Sequence, residues 1–127
     1  MCPSDAQLAA AFDKGTSSGP ENLTGVDREF FLIQEFILSY EMGSLSGYFY
    51  NQIPNLDHLR ETVASMKKHG ISELAEMLGR AVAIFDDYRE PNPATTWENV
   101  LKRYDPDSNL DRIDEQIGQL ENYGIAR

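Results

Sequence analysis

Several features of exported and membrane proteins are missing from this sequence. Cys2 is the only cysteine, so no intrachain disulfide can form, which is typical of a reducing compartment. Residues 1–25 lack both a basic start and an apolar run, so no signal peptide is visible. Charged residues between Asp27 and Glu41 interrupt the most apolar stretch, residues 26–51, so it lacks the run of about 18 apolar residues that a membrane span requires. We therefore expect a cytoplasmic protein.

Basic residues are also scarce. The chain has 11 Lys and Arg against 21 Asp and Glu, a formal net charge of −10. This balance argues against direct binding to nucleic acid, which needs Lys and Arg to replace condensed counterions. It argues against anionic membrane surfaces as well. It favours a basic protein as the partner, because the field of the whole chain would attract one.

Known catalytic and metal-binding motifs are absent. There is no Gly-rich phosphate loop, nucleophile elbow, CxxC or HExxH motif. His58 and His69 do not have the i, i+4 spacing of a helical metal pair. Residues 105–116 begin like an EF-hand calcium loop, but Leu110 and Gln116 stand where a glycine and a bidentate glutamate are required. We expect no catalytic residue, no metal and no cofactor.

The apolar periodicity predicts an all-α fold, because no alternating run of strand length occurs. We predict a single domain, residues 1–127, of five to six helices around a central hydrophobic helix at about 26–43. An N-terminal helix and loop occupy residues 1–25, and residues 26–123 form the helical core. The other helices are predicted at about 3–14, 55–69, 72–88, 96–104 and 107–123. The broad apolar face of the helix at 72–88 should pack directly on the central helix.

A cluster of small residues should break or bend the central helix near Gly43. Aromatic residues follow as a predicted turn that packs on the core, with Asn51 pinning the return loop. The residues of this segment are Gly43, Ser44, Ser46, Gly47, Tyr48, Phe49, Tyr50 and Asn51. An alternative is a small-ligand or enzymatic pocket around Tyr48, Tyr50 and Asn51.

The last predicted helix has acids on one side and apolar residues on the other. Its apolar residues are Leu110, Ile113, Ile117 and Leu120, and its acids are Asp107, Asp111, Asp114, Glu115 and Glu121. Carboxylates at i, i+3 and i+4 lie about 5–6 Å apart, close to the phosphate spacing along a nucleic-acid strand. Such a row can stand in for a DNA backbone, although an ordinary solvated helix would have the same pattern. The candidate partner-binding set also includes Asp86, Asp87, Glu90 and Asp105.

Glu41 and the run from Gly43 to Asn51 resemble a family signature: an acid, a Gly-Gly-aromatic turn, then aromatics ending in Asn. The signature belongs to the small acidic bacterial DNA-mimic protein family, a largely uncharacterised all-α domain family. Its structural residues here are Glu41, Gly43, Gly47, Tyr48, Phe49, Tyr50 and Asn51. Ser44 replaces the second glycine of the signature, Leu45 its aromatic, and Gly47 a residue that is usually Gln. The resemblance covers roughly residues 26–123. It implies an all-α fold and suggests DNA mimicry, because a characterised member covers the DNA-binding surface of a transcription factor.

We therefore expect a non-catalytic acidic module that binds a basic protein, such as a DNA-binding transcription regulator. An alternative is an immunity-type inhibitor of a basic toxin or nuclease, which gene neighbourhood would distinguish. Formation of a homodimer is left open.

Overall fold

The computed structural model describes residues 2–53, 55–89 and 96–125. These residues form six α-helices and two short 3-10 helices, with no strand among them, so the all-α prediction is confirmed. The helices are α1 (Asp5–Ser18), α2 (Gly25–Gln52), α3 (Leu56–Lys68), α4 (Ser72–Ile84), α5 (Trp97–Tyr104) and α6 (Asn109–Gly118). The 3-10 helices are Pro20–Asn22 and Glu121–Gly124. In the described parts of the chain, no helix combines the length and apolar character that crossing a membrane requires.

The first half of α2 forms the centre of the core, as its apolar residues predicted. Leu32, Ile33 and Phe36 are fully buried. Three helices pack against α2, namely α1, α3 and α6. Burial on several sides explains why apolar residues occupy so wide an arc of this helix.

The fourth helix differs from its prediction in length and position. It ends at Ile84 rather than near Tyr88, and it lies mainly against α3 and α6 rather than directly on α2. Its large side chains reach α2 through the shared core. The ring of Phe85, just past the helix end, lies 5.3 Å from the ring of Phe49 between centroids.

The predicted break in α2 is confirmed, but the predicted aromatic turn is wrong. The backbone leaves helical geometry only at Gly43 (φ −145°, ψ 17°) and Ser44 (φ 59°, ψ −174°), and the chain is helical again to Gln52. Leu45, Tyr48 and Phe49 are fully buried there. Their i, i+3, i+4 spacing places them on one face of a helix. Asn51 is exposed within this second half of α2 instead of pinning a loop.

Candidate functional site

The last helix is shorter than predicted, which changes the geometry of the acidic row. α6 begins at Asn109 and ends at Gly118, so Asp107 precedes it and Glu121 follows it. The chain turns back because Asn122 and Tyr123 adopt left-handed backbone conformations, with φ of 47° and 58°. This turn brings the side chain of Ile125 into the core.

Asp105 was expected on the partner-binding surface, but the structure buries it. The residue is 7% exposed, and its two carboxylate oxygens accept hydrogen bonds from the backbone N–H groups of Asn109 (2.8 Å) and Leu110 (2.9 Å). The first N–H groups of a helix have no intrahelical acceptor, so this carboxylate caps α6. Asp105 is a structural residue that a partner does not reach.

Asp114 also faces inward. One of its carboxylate oxygens accepts a hydrogen bond from the backbone N–H of Leu45 at 2.8 Å, at the start of the second half of α2. Its backbone carbonyl accepts a second bond from the Tyr40 hydroxyl at 3.1 Å. Burial, and then the nearby Asp114 carboxylate, raise the pKa of Tyr40 above its usual range. These bonds hold α6 against the break in α2.

The acids at the end of α4 are divided between different environments. The carboxylate of Asp86 lies 3.3 Å from the guanidinium of Arg60 on α3, so its charge is partly neutralised. Asp87 is exposed. Glu90 lies outside the described residues.

Four of the predicted acids are exposed to solvent. Asp107, Asp111, Glu115 and Glu121 are exposed, and none of them forms an ion pair with a Lys, Arg or His in the described ranges. We call these four residues the α6 acidic face.

Two arginines near the α6 acidic face bind amides rather than carboxylates. Arg80 donates to the side-chain oxygen of Gln116 at 2.7 Å, and Arg112 donates to that of Asn109 at 3.0 Å. Neither guanidinium forms an ion pair with a carboxylate of the α6 acidic face. The carboxylates of the α6 acidic face stay exposed to solvent.

Acids between α2 and α3, by contrast, are paired. Glu61 accepts two hydrogen bonds from Arg28 at 2.6 and 2.8 Å, which lower the pKa of its carboxyl group. Glu29 accepts hydrogen bonds from Lys68 at 2.9 Å and His69 at 3.0 Å. Both bonds lower the pKa of Glu29, and the bond from Lys68 has the larger effect. The contrast separates carboxylates that join helices from those that face solvent.

His58 belongs to the paired group as well. Its Nε2 lies 2.7 Å from the carboxylate of Glu35. Both histidines thus contact a glutamate of α2. In the described parts of the chain, no three His, Cys, Asp or Glu side chains converge to form a metal site.

The signature residues surround the break in α2. Glu41 is exposed and lies beside Tyr123, where burial and then the charge of Glu41 raise the pKa of the Tyr123 hydroxyl to about 12. Gly43 forms the break itself. Gly47 is half-buried in the helical segment that follows.

The structure has a cavity near Tyr50, but of the three residues predicted to line a pocket there, only Tyr50 does so. Tyr48 is fully buried, and neither it nor Asn51 lines this cavity. The cavity, of about 230 Å³, is lined by Tyr50, Ile53, Tyr88, Trp97 and Val100. Sequence reasoning missed Trp97 because its helix, α5, is distant from α2 in the chain. The i, i+3, i+4 spacing of Trp97, Val100 and Leu101 predicts only that one face of this helix is apolar.

Comparison with known proteins identifies a family. Residues 21–126 match the DMP19-like protein family, so the chain belongs to that family. The match contains the whole stretch, residues 26–123, over which the sequence showed its resemblance. No curated protein and no solved structure matches the chain.

Proposed function

We propose that this member of the DMP19-like protein family is a protein-binding domain that presents the α6 acidic face to a basic partner. On the partner, the face occupies the surface that otherwise binds DNA. The observation that carries the proposal is that four exposed carboxylates without an ion-pair partner in the described ranges occur within residues 107–121. Carboxylates between α2 and α3 are bound to Arg, Lys and His, whereas those of the α6 acidic face have no cationic partner among the described residues.

Rigidity of the scaffold supports this role. Leu110, Ile113 and Ile117 anchor the inner side of α6 in the core. The carboxylates of Asp105 and Asp114 fix its start and its middle to neighbouring backbone. A rigid surface loses little conformational entropy on binding, so more of the interaction energy contributes to affinity.

Charge spacing supports the same role. Asp111 and Glu115 are four residues apart on α6, so they lie about 5–6 Å from one another. Asp107 and Glu121 are exposed acids just before and just after this helix. A protein whose Lys and Arg residues are arranged for successive phosphates can bind such a row by the same contacts.

The net charge of −10 adds a long-range contribution. Association between oppositely charged surfaces is accelerated at low salt and slows as salt screens the field. Binding should therefore weaken as the salt concentration rises, as it does for protein–DNA complexes.

The test is capture of a partner from a lysate of the source organism on the immobilised chain. A basic DNA-binding protein should be retained at low salt, and added duplex DNA should release it because both ligands use one surface. Retention of no basic protein at low or moderate salt would contradict the proposal. So would a captured protein that binds DNA and the chain simultaneously. A captured toxin or nuclease would instead assign the face to an immunity-type inhibitor.

A further inference from the structure

A cavity beside the second half of α2 has two aromatic walls. The rings of Tyr50 and Trp97 lie 6.0 Å apart between centroids and are inclined at 78°, so they meet as two sides of a corner. The ring of Tyr88 contributes a third aromatic surface, and Ile53 and Val100 complete the apolar lining. We call this cavity the aromatic pocket.

The wall formed by Trp97 is held in place before any ligand binds. Its indole Nε1 donates a hydrogen bond to the Ser46 hydroxyl at 2.8 Å. The indole also stacks on the ring of Phe85, with 5.9 Å between centroids and 25° between planes. A fixed aromatic wall is suited to binding because its orientation costs no further entropy.

The other wall is unusually accessible to solvent. Tyr50 is 62% exposed, and only Val26 and Met42 are also large, apolar and exposed in the described ranges. The Tyr50 ring therefore contributes little to the core. A ligand in the aromatic pocket would contact the ring and cover apolar surface that water now contacts.

Aromatic faces and negative charge together select a cation. A guanidinium or ammonium group within about 6 Å of a ring centroid is attracted by the negative face of the ring. None of the five lining residues is charged, so the chain's net charge of −10 acts here only as a long-range field, which favours cations over anions. The volume of about 230 Å³ lies below the range typical of pockets for drug-sized ligands, so it suits one side chain.

We infer that the aromatic pocket binds the guanidinium group of an arginine side chain. Arginine is favoured over lysine because its planar group stacks on aromatic rings and is more weakly hydrated. That this arginine belongs to the basic partner rests on the proposed function. Ser46, which holds Trp97, is adjacent to Leu45, which binds Asp114 of α6, so the aromatic pocket and α6 are fastened to the same turn of α2.

The first experiment uses the intact chain and its only tryptophan, Trp97, as a fluorescent reporter. N-acetyl-arginine amide is titrated at constant ionic strength and compared with N-acetyl-citrulline amide, an uncharged compound of nearly the same shape. Arginine amide should change the Trp97 emission saturably. Citrulline amide should bind at least about tenfold more weakly. Equal responses to both compounds, or no saturable response to arginine amide, would overturn the inference.

Variants of Tyr50 provide the second test. Tyr50→Phe keeps the ring and should bind arginine amide like the unmodified chain, whereas Tyr50→Ala should weaken binding about tenfold. An unchanged titration of folded Tyr50→Ala would contradict the inference. If Tyr50→Ala does not fold, the comparison of arginine with citrulline on the unmodified chain decides alone.

A third variant separates this inference from the proposed function. Combined Asp107→Asn, Asp111→Asn and Glu115→Gln should leave the arginine amide titration within about twofold at constant ionic strength. A response lost in this variant would show that arginine amide binds the acids rather than the aromatic pocket, and would overturn the inference. Loss of partner capture with an intact titration would support both proposals.

Discussion

The carboxylate of Asp114 accepts a hydrogen bond from the backbone N–H of Leu45 over 2.8 Å, which joins the middle of α6 to the break in α2. Leu45 begins a helical segment whose first N–H groups lack intrahelical acceptors. Asp114 therefore caps a helix that is 69 residues distant in the chain. This cap separates Asp114 from the exposed acids on the same helix.

Asp114→Ala should lower the free energy of unfolding by about 1–2 kcal/mol, the usual cost of losing a helix cap. Asp114→Asn keeps a side-chain oxygen and should lose less. Asp111→Ala, at an exposed position one turn earlier, should change the free energy by less than about 0.5 kcal/mol. Urea unfolding of the three variants measures these differences. Equal effects at positions 111 and 114 would show that the cap does not contribute.

Ser44→Gly should stabilise the protein. The backbone of Ser44, at φ 59° and ψ −174°, is in a region populated almost only by glycine, which costs another residue about 1–3 kcal/mol. The greater freedom of glycine in the unfolded chain offsets up to about 1 kcal/mol, so a net gain of about 1 kcal/mol is expected. Thermal and urea unfolding measure it.

The matched control is Ser39→Gly, because Ser39 has helical geometry in the same helix. This substitution should lower the free energy of unfolding by about 0.5–1 kcal/mol. A destabilised Ser44→Gly variant would mean that the Ser44 side chain compensates for its strained backbone.

The break near Gly43 could be predicted because small residues interrupt an apolar helix there. The helical conformation after the break could also have been inferred, since Leu45, Tyr48 and Phe49 have helical spacing. Gly47 lies within this segment, and because glycine often marks a turn, a turn was predicted instead of a helix. The capping of Leu45 by Asp114 could not be predicted, because it depends on how two distant helices pack.

Asp105→Ala should affect stability and Asp107→Ala should affect partner binding, although the two residues are only two positions apart. Asp105 accepts two backbone hydrogen bonds while buried, so its loss should lower the free energy of unfolding by about 2 kcal/mol. Asp107 is exposed, and its loss should leave stability within about 0.5 kcal/mol while weakening partner binding. Urea unfolding and partner titration distinguish the two. Similar stability losses would place both residues in the scaffold.

The ion pair between Glu61 and Arg28 should make stability depend on acid pH. The hydrogen bonds from Arg28 lower the folded-state pKa of Glu61 below its unfolded value of about 4.3. The contribution of this group is therefore complete above about pH 5 and is lost as the pH falls through the lower, folded-state pKa. Glu61→Gln should destabilise the protein at pH 7 and less so at pH 3.

The control for this pH series is Glu73→Gln, because Glu73 is exposed and forms no ion pair in the described ranges. Its effect on the free energy of unfolding should stay nearly constant from pH 3 to pH 7. If the effect of Glu61→Gln were equally constant, the ion pair would contribute no pH-dependent stability.

The sequence shows where the acids are concentrated, but it does not show which of them cap helices and which are exposed to a partner. Asp105 precedes the helix predicted at 107–123 and Asp107 begins it, and only the position of the first turn of α6 decides which of the two caps it. The helix end was also beyond prediction. Gly124 follows a helical pattern, yet the left-handed backbone of Asn122 and Tyr123 has already turned the chain into the core.

The most direct test of the α6 acidic face compares two variants of equal charge by isothermal titration with the captured partner. One carries Asp107→Asn, Asp111→Asn and Glu115→Gln. The other carries Asp13→Asn, Glu21→Gln and Glu76→Gln, at exposed positions on other elements. The first should weaken binding at least about tenfold, since each contact resembles a phosphate contact, and the second less than about threefold. Equal weakening would show that net charge alone determines binding and would contradict a defined acidic face.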